Sequence, residues 1–332
     1  MTINVLGDLH FRSDLWWSDV AEKFLSWFEK APLTGSLIQL GDITDKDVNP
    51  GDTLDLVYRF SEICVGKFDR TYLLVGNHDR KLYKGREQYS FKFLDRMPNV
   101  TVIDQPKIYE MDGCKVGMIP FVRPRGMTID EYYETSLHPS FYSTEFDLLV
   151  GHLGIREKGA HYGGIDVSKF KFHHMALGHI HSRSQYSAHG DKYVGSVAPF
   201  KVNEEVPGDL PRIVRVYSLD SGSVVEEGPI EIPRFMTYDY VRFPDEIPPN
   251  KSSLIRVFTV GDCKNIFKAR AHYPDHHVRA VEKRKKVETE ITVGEKGKVF
   301  LTKKEALSSM IRETGLKISR PVHKYVIDLL DL

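Results

Sequence analysis

Three short, largely apolar runs, Ile3–Leu6, Leu37–Leu40 and Thr71–Val75, each stop at a glycine that is followed by Asp or Asn: Gly7-Asp8, Gly41-Asp42 and Gly76-Asn77. Between the first two, Ala21, Phe24, Trp27 and Phe28 recur with the helical period, and Ser18 is positioned to cap that helix. Residues 53–65 read as a second helix before the third run. A strand–helix–strand–helix–strand order requires parallel strands joined by crossover helices. In such a sheet, ligands collect beyond the carboxyl ends of the strands. The Gly-Asp and Gly-Asn steps sit there, and a purely structural turn has no preference for Asp and His.

The pattern continues. The full blocks are Asp8-Leu9-His10, Gly41-Asp42-Ile43-Thr44-Asp45, Gly76-Asn77-His78-Asp79, Gly151-His152 and Gly178-His179-Ile180-His181. Together they offer carboxylate, amide and imidazole ligands and no sulfur. That donor set suits divalent metals, and a close metal pair suits in-line displacement at a phosphate ester. Such a pair needs one bridging anion, for which Asp42 is the candidate. Asp8, His10 and His181 then complete one metal, and Asn77, His152 and His179 the other. In an extended segment residues i and i+2 point to the same side, so His179 and His181 can each reach one metal. His78, beside Asn77, is placed to donate to the scissile phosphate or to protonate the leaving oxygen, with Asp79 expected to orient its ring. His161, in the loop His161-Tyr162-Gly163-Gly164, is a candidate substrate contact. The remaining histidines read as surface residues.

The second half of the chain reads as further strands at Val116–Phe121, Asp147–Val150, Phe172–Leu177, Tyr193–Ser196, Ile213–Tyr217 and Ser223–Val225. A second sheet packed on the first gives an α/β fold, a four-layer αββα sandwich with helices outside. Near Ile232-Pro233-Arg234 the character changes. Ser253–Val260 predicts a strand and Lys264–Ala271 a short helix. From Thr302, whose spacing to Glu305 forms a capping box, the chain turns helical, and Pro321 starts a last helix. The expected organisation is a domain over 1–232, a small αβ cap over 233–295 and a helical segment over 296–332.

The formal charge of the 332 residues is zero, but it is unevenly spread. Residues 251–332 hold 18 Lys and Arg against 10 Asp and Glu, and the remainder holds 28 against 36. An acidic body with a basic tail suits a polyanionic substrate. Arg279, Lys283, Arg284, Lys285 and Lys286 form a compact positive cluster, suited to phosphate-backbone contact without sequence readout. The alternative for it is a solvated strand edge guarded by lysines. Three widely spaced cysteines (Cys64, Cys114, Cys263) without a CxxC pair predict a reduced, cytoplasmic protein without structural zinc. No signal peptide is expected, and no apolar run approaches the roughly 20 residues of a membrane helix.

The ordered blocks resemble those of the calcineurin-like metallophosphoesterase superfamily. The runs Ile119–Arg125, Gly151-His152-Leu153, Ala176–His181 and Tyr193–Ser196 are similar to those of the SbcD-type DNA-repair exonuclease subunits, in particular phage versions. That resemblance implies a two-Mn²⁺ exonuclease and endonuclease (Mg²⁺ being the alternative metal), a DNA-binding cap and a homodimer. It also implies that the C-terminal helices dock on an SMC-like ATPase. Some relatives carry a second histidine where this chain has Asp45, whose expected role is to brace the loop. Two other functions fit parts of the pattern: a small-molecule phosphoesterase such as a nucleotide phosphodiesterase, and a non-catalytic scaffold on the same fold.

Overall fold

The computed structural model describes residues 1–12, 15–45, 50–83, 86–122, 129–155, 164–181, 192–198, 211–235, 238–242, 254–259 and 279–282. Its N-terminal elements are β1 (Thr2–Leu6), α1 (Leu15–Lys30), β2 (Ser36–Gln39), α2 (Pro50–Lys67) and β3 (Arg70–Leu74). β1 pairs parallel with β2, and β2 parallel with β3, as the alternation requires. A hairpin of β4 (Arg80–Tyr83) and β5 (Arg86–Tyr89) follows, and then β6 (Val100–Ile103) extends the parallel sheet beside β3.

β7 (Lys107–Met111), β8 (Cys114–Ile119), α3 (Ile129–Ser136), α4 (Ser140–Ser143), β9 (Glu145–His152) and β10 (Lys171–Gly178) build the second half. The chain then returns to the first sheet through β11 (Ile213–Asp220), β12 (Ser223–Glu226) and β13 (Ile230–Glu231). The first sheet runs β12-β11-β1-β2-β3-β6, with β13 on β11, and the second runs β10-β9-β8-β7. Beyond them, β14 (Tyr238–Arg242), β15 (Leu254–Thr259) and β16 (Arg279–Glu282) form a separate three-stranded sheet. Contacts divide the chain into Met1–Val281 and Glu282–Leu332.

The side-chain alternation of the strands sets the layers. Ile3, Val5, Ile38, Leu40, Tyr72 and Leu74 point from the first sheet into the space between the sheets, against Val116, Met118, Leu148 and Val150 of the second. Leu6, Leu37, Leu73 and Val102 point the other way, onto Phe24 and Phe28 of α1 and Phe60 of α2. On the far side, Tyr133 of α3 and Phe141 of α4 cover Phe146, Leu149 and Leu177. Two sheets between two helical layers is the αββα sandwich expected from the sequence.

Two local expectations are corrected, and one element is unannounced. α1 begins at Leu15 and not after Ser18. Trp17 is buried one position before Ser18, so burial of that ring takes the helix back past the apparent cap. Tyr193–Ser196 is not a strand: Tyr193 makes a single bridge to Leu177, and the chain then turns so that Ser196 N donates to the carbonyl of His181. β4 pairs antiparallel with β5, a pairing that their mixed polar sequence does not announce. The expected helices at 264–271, after Thr302 and after Pro321 lie outside the described residues.

Candidate metal centre

All five blocks meet at one end of the sandwich, beyond the carboxyl ends of β1, β2, β3, β9 and β10. The loops after β1 and β2 are laced together. Leu9 N and His10 N both donate to the carbonyl of Asp42, at 3.0 and 2.8 Å, and Phe11 N donates to Ile43. Asp8, His10 and Asp42 therefore arrive as one unit. The loop after β3 joins it, because His78 N donates to Asp42 Oδ1 at 2.7 Å. β10 docks through its last turn, where His179 N donates to the Asp8 carboxylate at 3.1 and 3.2 Å.

Holding the donors so close requires unusual backbone. His10, Asp42 and His179 have φ of 48°, 52° and 84°, in the left-handed region that costs an ordinary residue energy. Such strain persists only where the surroundings over-determine it, and it concentrates at functional sites. Two glycines make the crowding possible. A Cβ at Gly41, itself at φ 105°, would meet His152 Nδ1 at 2.6 Å. A Cβ at Gly76 would meet the Asp42 backbone and carboxylate.

Asp8, His10, Asp42 and His181 each present one donor atom within 4.8 Å of the others. His10 Nε2 and His181 Nε2 face each other at 3.0 Å. His10 Nε2 lies 3.4 Å from Asp42 Oδ2, and His181 Nε2 lies 3.5 Å from Asp8 Oδ2. Beside this group stands a second one. His152 Nε2 and His179 Nδ1 converge on Asn77 Oδ1 at 2.9 and 2.8 Å. His152 Nε2 is also 3.4 Å from Asp42 Oδ2, so a single carboxylate oxygen stands between the two groups.

The donor chemistry fits divalent cations. Oxygen and imidazole donors are mixed, and sulfur is absent. His152 Nδ1 is 2.8 Å from the Leu40 carbonyl, which can only accept, so the ring directs Nε2 toward Asp42 and Asn77. Burial lowers His179 to about 3 and holds His10 well below the usual imidazole range, which keeps both rings neutral. Burial works against the charged forms of Asp42 and His152 as well. Their mutual attraction outweighs it, drawing Asp42 far down and His152 up to about 9. Burial lifts Asp8 to about 6 against the pull of His152 and His181. Buried carboxylates in such surroundings are what a cation relieves.

His78 stands at the open side, with its side chain 26% exposed. Its ring partner is Asp45, not Asp79: Asp45 Oδ1 lies 3.0 Å from His78 Nδ1. Asp79 is fully buried and accepts from Thr44 N at 2.9 Å, Thr44 Oγ1 at 3.1 Å and Gly76 N at 2.8 Å. It thus ties the β2 and β3 loops together beneath the centre. Burial and the charge of Asp42 raise it to about 7. The ring-orienting role expected of Asp79 therefore falls to Asp45, whose signal in the sequence is only its place three residues after Asp42.

Phe121 is a further neighbour of the centre, outside every ligand block. Its ring stacks on His179 at 6.3 Å between centroids and meets His152 edge-on at 6.4 Å. Its signal was the run Ile119–Arg125, legible only through resemblance. Among the other histidines, His138 is tied to Ser140, His174 to the Val224 carbonyl, and His173 lies beside Glu145 and Asp147. His161 and the cluster Lys283, Arg284, Lys285 and Lys286 lie outside the described residues, as does the side chain of Arg279.

Comparison with known proteins follows the same residues. The calcineurin-like phosphoesterase family model matches residues 1–183. Exonuclease subunit 1 of Enterobacteria phage T4 is 27% identical over 212 residues, which span 59% of this chain and 59% of that relative. A solved protein of unknown function from Aquifex aeolicus aligns at 18% identity with a TM-score of 0.30, over 52% of this chain and 88% of the other.

Proposed function

From the premise that the chain belongs to the calcineurin-like phosphoesterase family, and is therefore a hydrolase, we propose that it is a two-metal DNA nuclease subunit. The observation that carries the metal pair is Asp42 Oδ2, 3.4 Å from His10 Nε2 on one side and 3.4 Å from His152 Nε2 on the other. Asp8, His10, Asp42 and His181 would hold one metal, and Asp42, Asn77, His152 and His179 the second. Two Mn²⁺ ions, with Mg²⁺ as the alternative, are the proposed occupants. When bound, such ions supply Lewis acidity toward the phosphoryl group.

The chain's own residues do the rest. Asp42 keeps its charge between the two donor groups. The neutral His10 and His179 rings fill coordination positions without adding charge. Asp45 holds Nδ1 of His78, which leaves Nε2 free to protonate the leaving oxygen at the exposed side of the centre. Asp79 keeps the two loops that carry Asp42 and Asn77 in register.

DNA as the ester is supported by the likeness to the phage exonuclease subunit and by the excess of Lys and Arg after residue 250. The chain spans about three-fifths of that relative's length, so substrate and assembly are both part of the proposal. Residues 233–295 act as a DNA-binding cap through Arg279, Lys283, Arg284, Lys285 and Lys286, with His161 at the substrate. Residues 296–332 dock on an SMC-like ATPase, and the subunit works as a homodimer in the cytoplasm. Among the described residues no helix is long and apolar enough to cross a membrane.

The test is cleavage of linear double-stranded DNA by the purified chain with Mn²⁺. Wild-type protein should degrade it, and Asn77→Ala and His181→Ala should not. Hydrolysis of a chromogenic diester without DNA cleavage would point to a small-molecule phosphodiesterase, and equal cleavage by both variants would refute the assignment of the centre.

A further inference from the structure

Arg12 lies four residues beyond Asp8, outside every ligand block. Its guanidinium sits over the buried Trp17 ring, 5.3 Å from the ring centroid. From there Nη1 reaches Asp45 Oδ2 at 3.0 Å, while the other oxygen of that carboxylate takes His78 Nδ1 at 3.0 Å. The Arg12 and Asp45 side chains are each 14% exposed, so water competes little for the pair. We propose that Arg12, wedged between Trp17 and Asp45, is a positioning residue that aims His78 at the leaving oxygen of the substrate.

The reason is the competition around Asp45. Its Oδ2 lies 4.0 Å from His10 Nδ1, so the carboxylate has a second imidazole to turn toward. Arg12 occupies that oxygen. With Oδ2 fixed, the carboxylate plane is fixed, and Oδ1 holds the His78 ring in one direction. The Trp17 face in turn fixes the guanidinium, by stacking and by attraction between the cation and the ring. The clamp therefore runs from the core of α1 to the open side of the centre. An ionised carboxylate only accepts, so Nδ1 carries a proton and Nε2 is the atom that acts. As the phosphorus–oxygen bond breaks, its electron pair takes the Nε2 proton. Water supplies the new bond to phosphorus and gives up its own proton to solvent, from which His78 is reprotonated.

This inference rests on the phosphodiesterase reading, and its test separates the two. The metal-loaded full chain is assayed on bis(p-nitrophenyl) phosphate, whose leaving group needs no proton, and on diphenyl phosphate, whose poorer leaving group does. Arg12→Ala should lower kcat on diphenyl phosphate about 10- to 100-fold with KM unchanged, the scale of a misaimed catalytic group. On the nitrophenyl diester it should change kcat by less than about threefold. In a His78→Ala background, Arg12→Ala should cost nothing more on diphenyl phosphate. Arg12→Gln, which keeps the aliphatic stem but loses the charged planar fork, should behave as Arg12→Ala does and serves if the alanine variant fails to fold. In the metal-free protein, the His78 Nδ1 proton should give a sheltered downfield NMR signal that broadens in Arg12→Gln.

Equal losses on both diesters, additive losses with His78→Ala, or an unchanged Nδ1 signal would overturn the clamp. A wild-type protein that hydrolyses neither diester would overturn the phosphodiesterase reading instead, and the NMR comparison would still decide the clamp.

Discussion

A Cβ on Gly76 would stand 2.2 Å from Oδ1 of Asp42 and 2.2 Å from its backbone nitrogen. The loop after β3 can close over the central carboxylate only because position 76 has no side chain. Gly76→Ala should therefore push Asp42 away from His10 and His152. The expected outcome is a loss of activity of about 100-fold, the scale of a displacement near 1 Å. Metal affinity by calorimetry should fall in parallel, and unchanged affinity with full activity would refute this account.

The two donor groups should separate by stoichiometry. Elemental analysis of Mn²⁺-loaded protein should give two ions per wild-type chain. His181→Ala and Asn77→Ala should each lose about one, and Asp42→Ala should lose both, since Asp42 belongs to both groups. Chelation should abolish hydrolysis and added Mn²⁺ should restore it. A single ion in wild type, unaffected by Asn77→Ala, would refute the second position.

Asp79 should behave as a structural brace. Asp79→Ala leaves Thr44 N and Gly76 N without their acceptor in a buried setting, while Thr44 Oγ1 keeps Ser90 Oγ. The expected loss is about 2–3 kcal/mol in urea denaturation of the metal-free protein. Asp79→Asn retains one acceptor oxygen and should lose less. A stable Asp79→Ala variant with a selective defect on poor leaving groups would return Asp79 to the role expected of it from sequence.

That exchange between Asp79 and Asp45 marks how far the sequence could be read. The convergence of Asp8, His10, Asp42, Asn77, His152, His179 and His181 was legible because their blocks follow apolar runs, and parallel strands deliver their ends to one place. The layers were legible from the two residue periods. Partnership between side chains was not, because it depends on where loops turn. Adjacency to His78 favoured Asp79, but the bend at residues 77–79 sends that carboxylate inward to Thr44 and Gly76. Asp45 arrives through the lacing of the β1 and β2 loops, with Asp45 N bonded to the Phe11 carbonyl. The start of α1 failed for a related reason. Ser18 carries a local capping signal, and burial of Trp17 overrides it.

Between the sheets, Leu148 is fully buried among Val116, Met118, Ile38 and their neighbours. Leu148→Ala should cost about 2–5 kcal/mol through lost transfer energy and the cavity left behind. Because β9 also carries His152, the same variant should weaken metal binding. Chemical denaturation and calorimetry on one preparation would check both.

The basic cluster gives a prediction read from salt. Replacing Lys283, Arg284, Lys285 and Lys286 with alanine should leave bis(p-nitrophenyl) phosphate hydrolysis intact. For DNA, the slope of log affinity against log salt should flatten by about 3 to 4, if each side chain neutralises one phosphate. An unchanged slope would assign the cluster to a solvated edge.

The centre is built across a seam. His10 follows a strand of the first sheet and His181 a strand of the second, 171 residues apart in the chain. No ion can find the donor set until both sheets have formed and docked. Chelation then rewards only the completed sandwich, because the unfolded chain offers no such site. A bound metal would therefore act as a clasp as well as a reagent. Loading it should slow the parting of the two sheets more than it stabilises either sheet, and loss of metal should loosen the molecule along the seam where its chemistry is done.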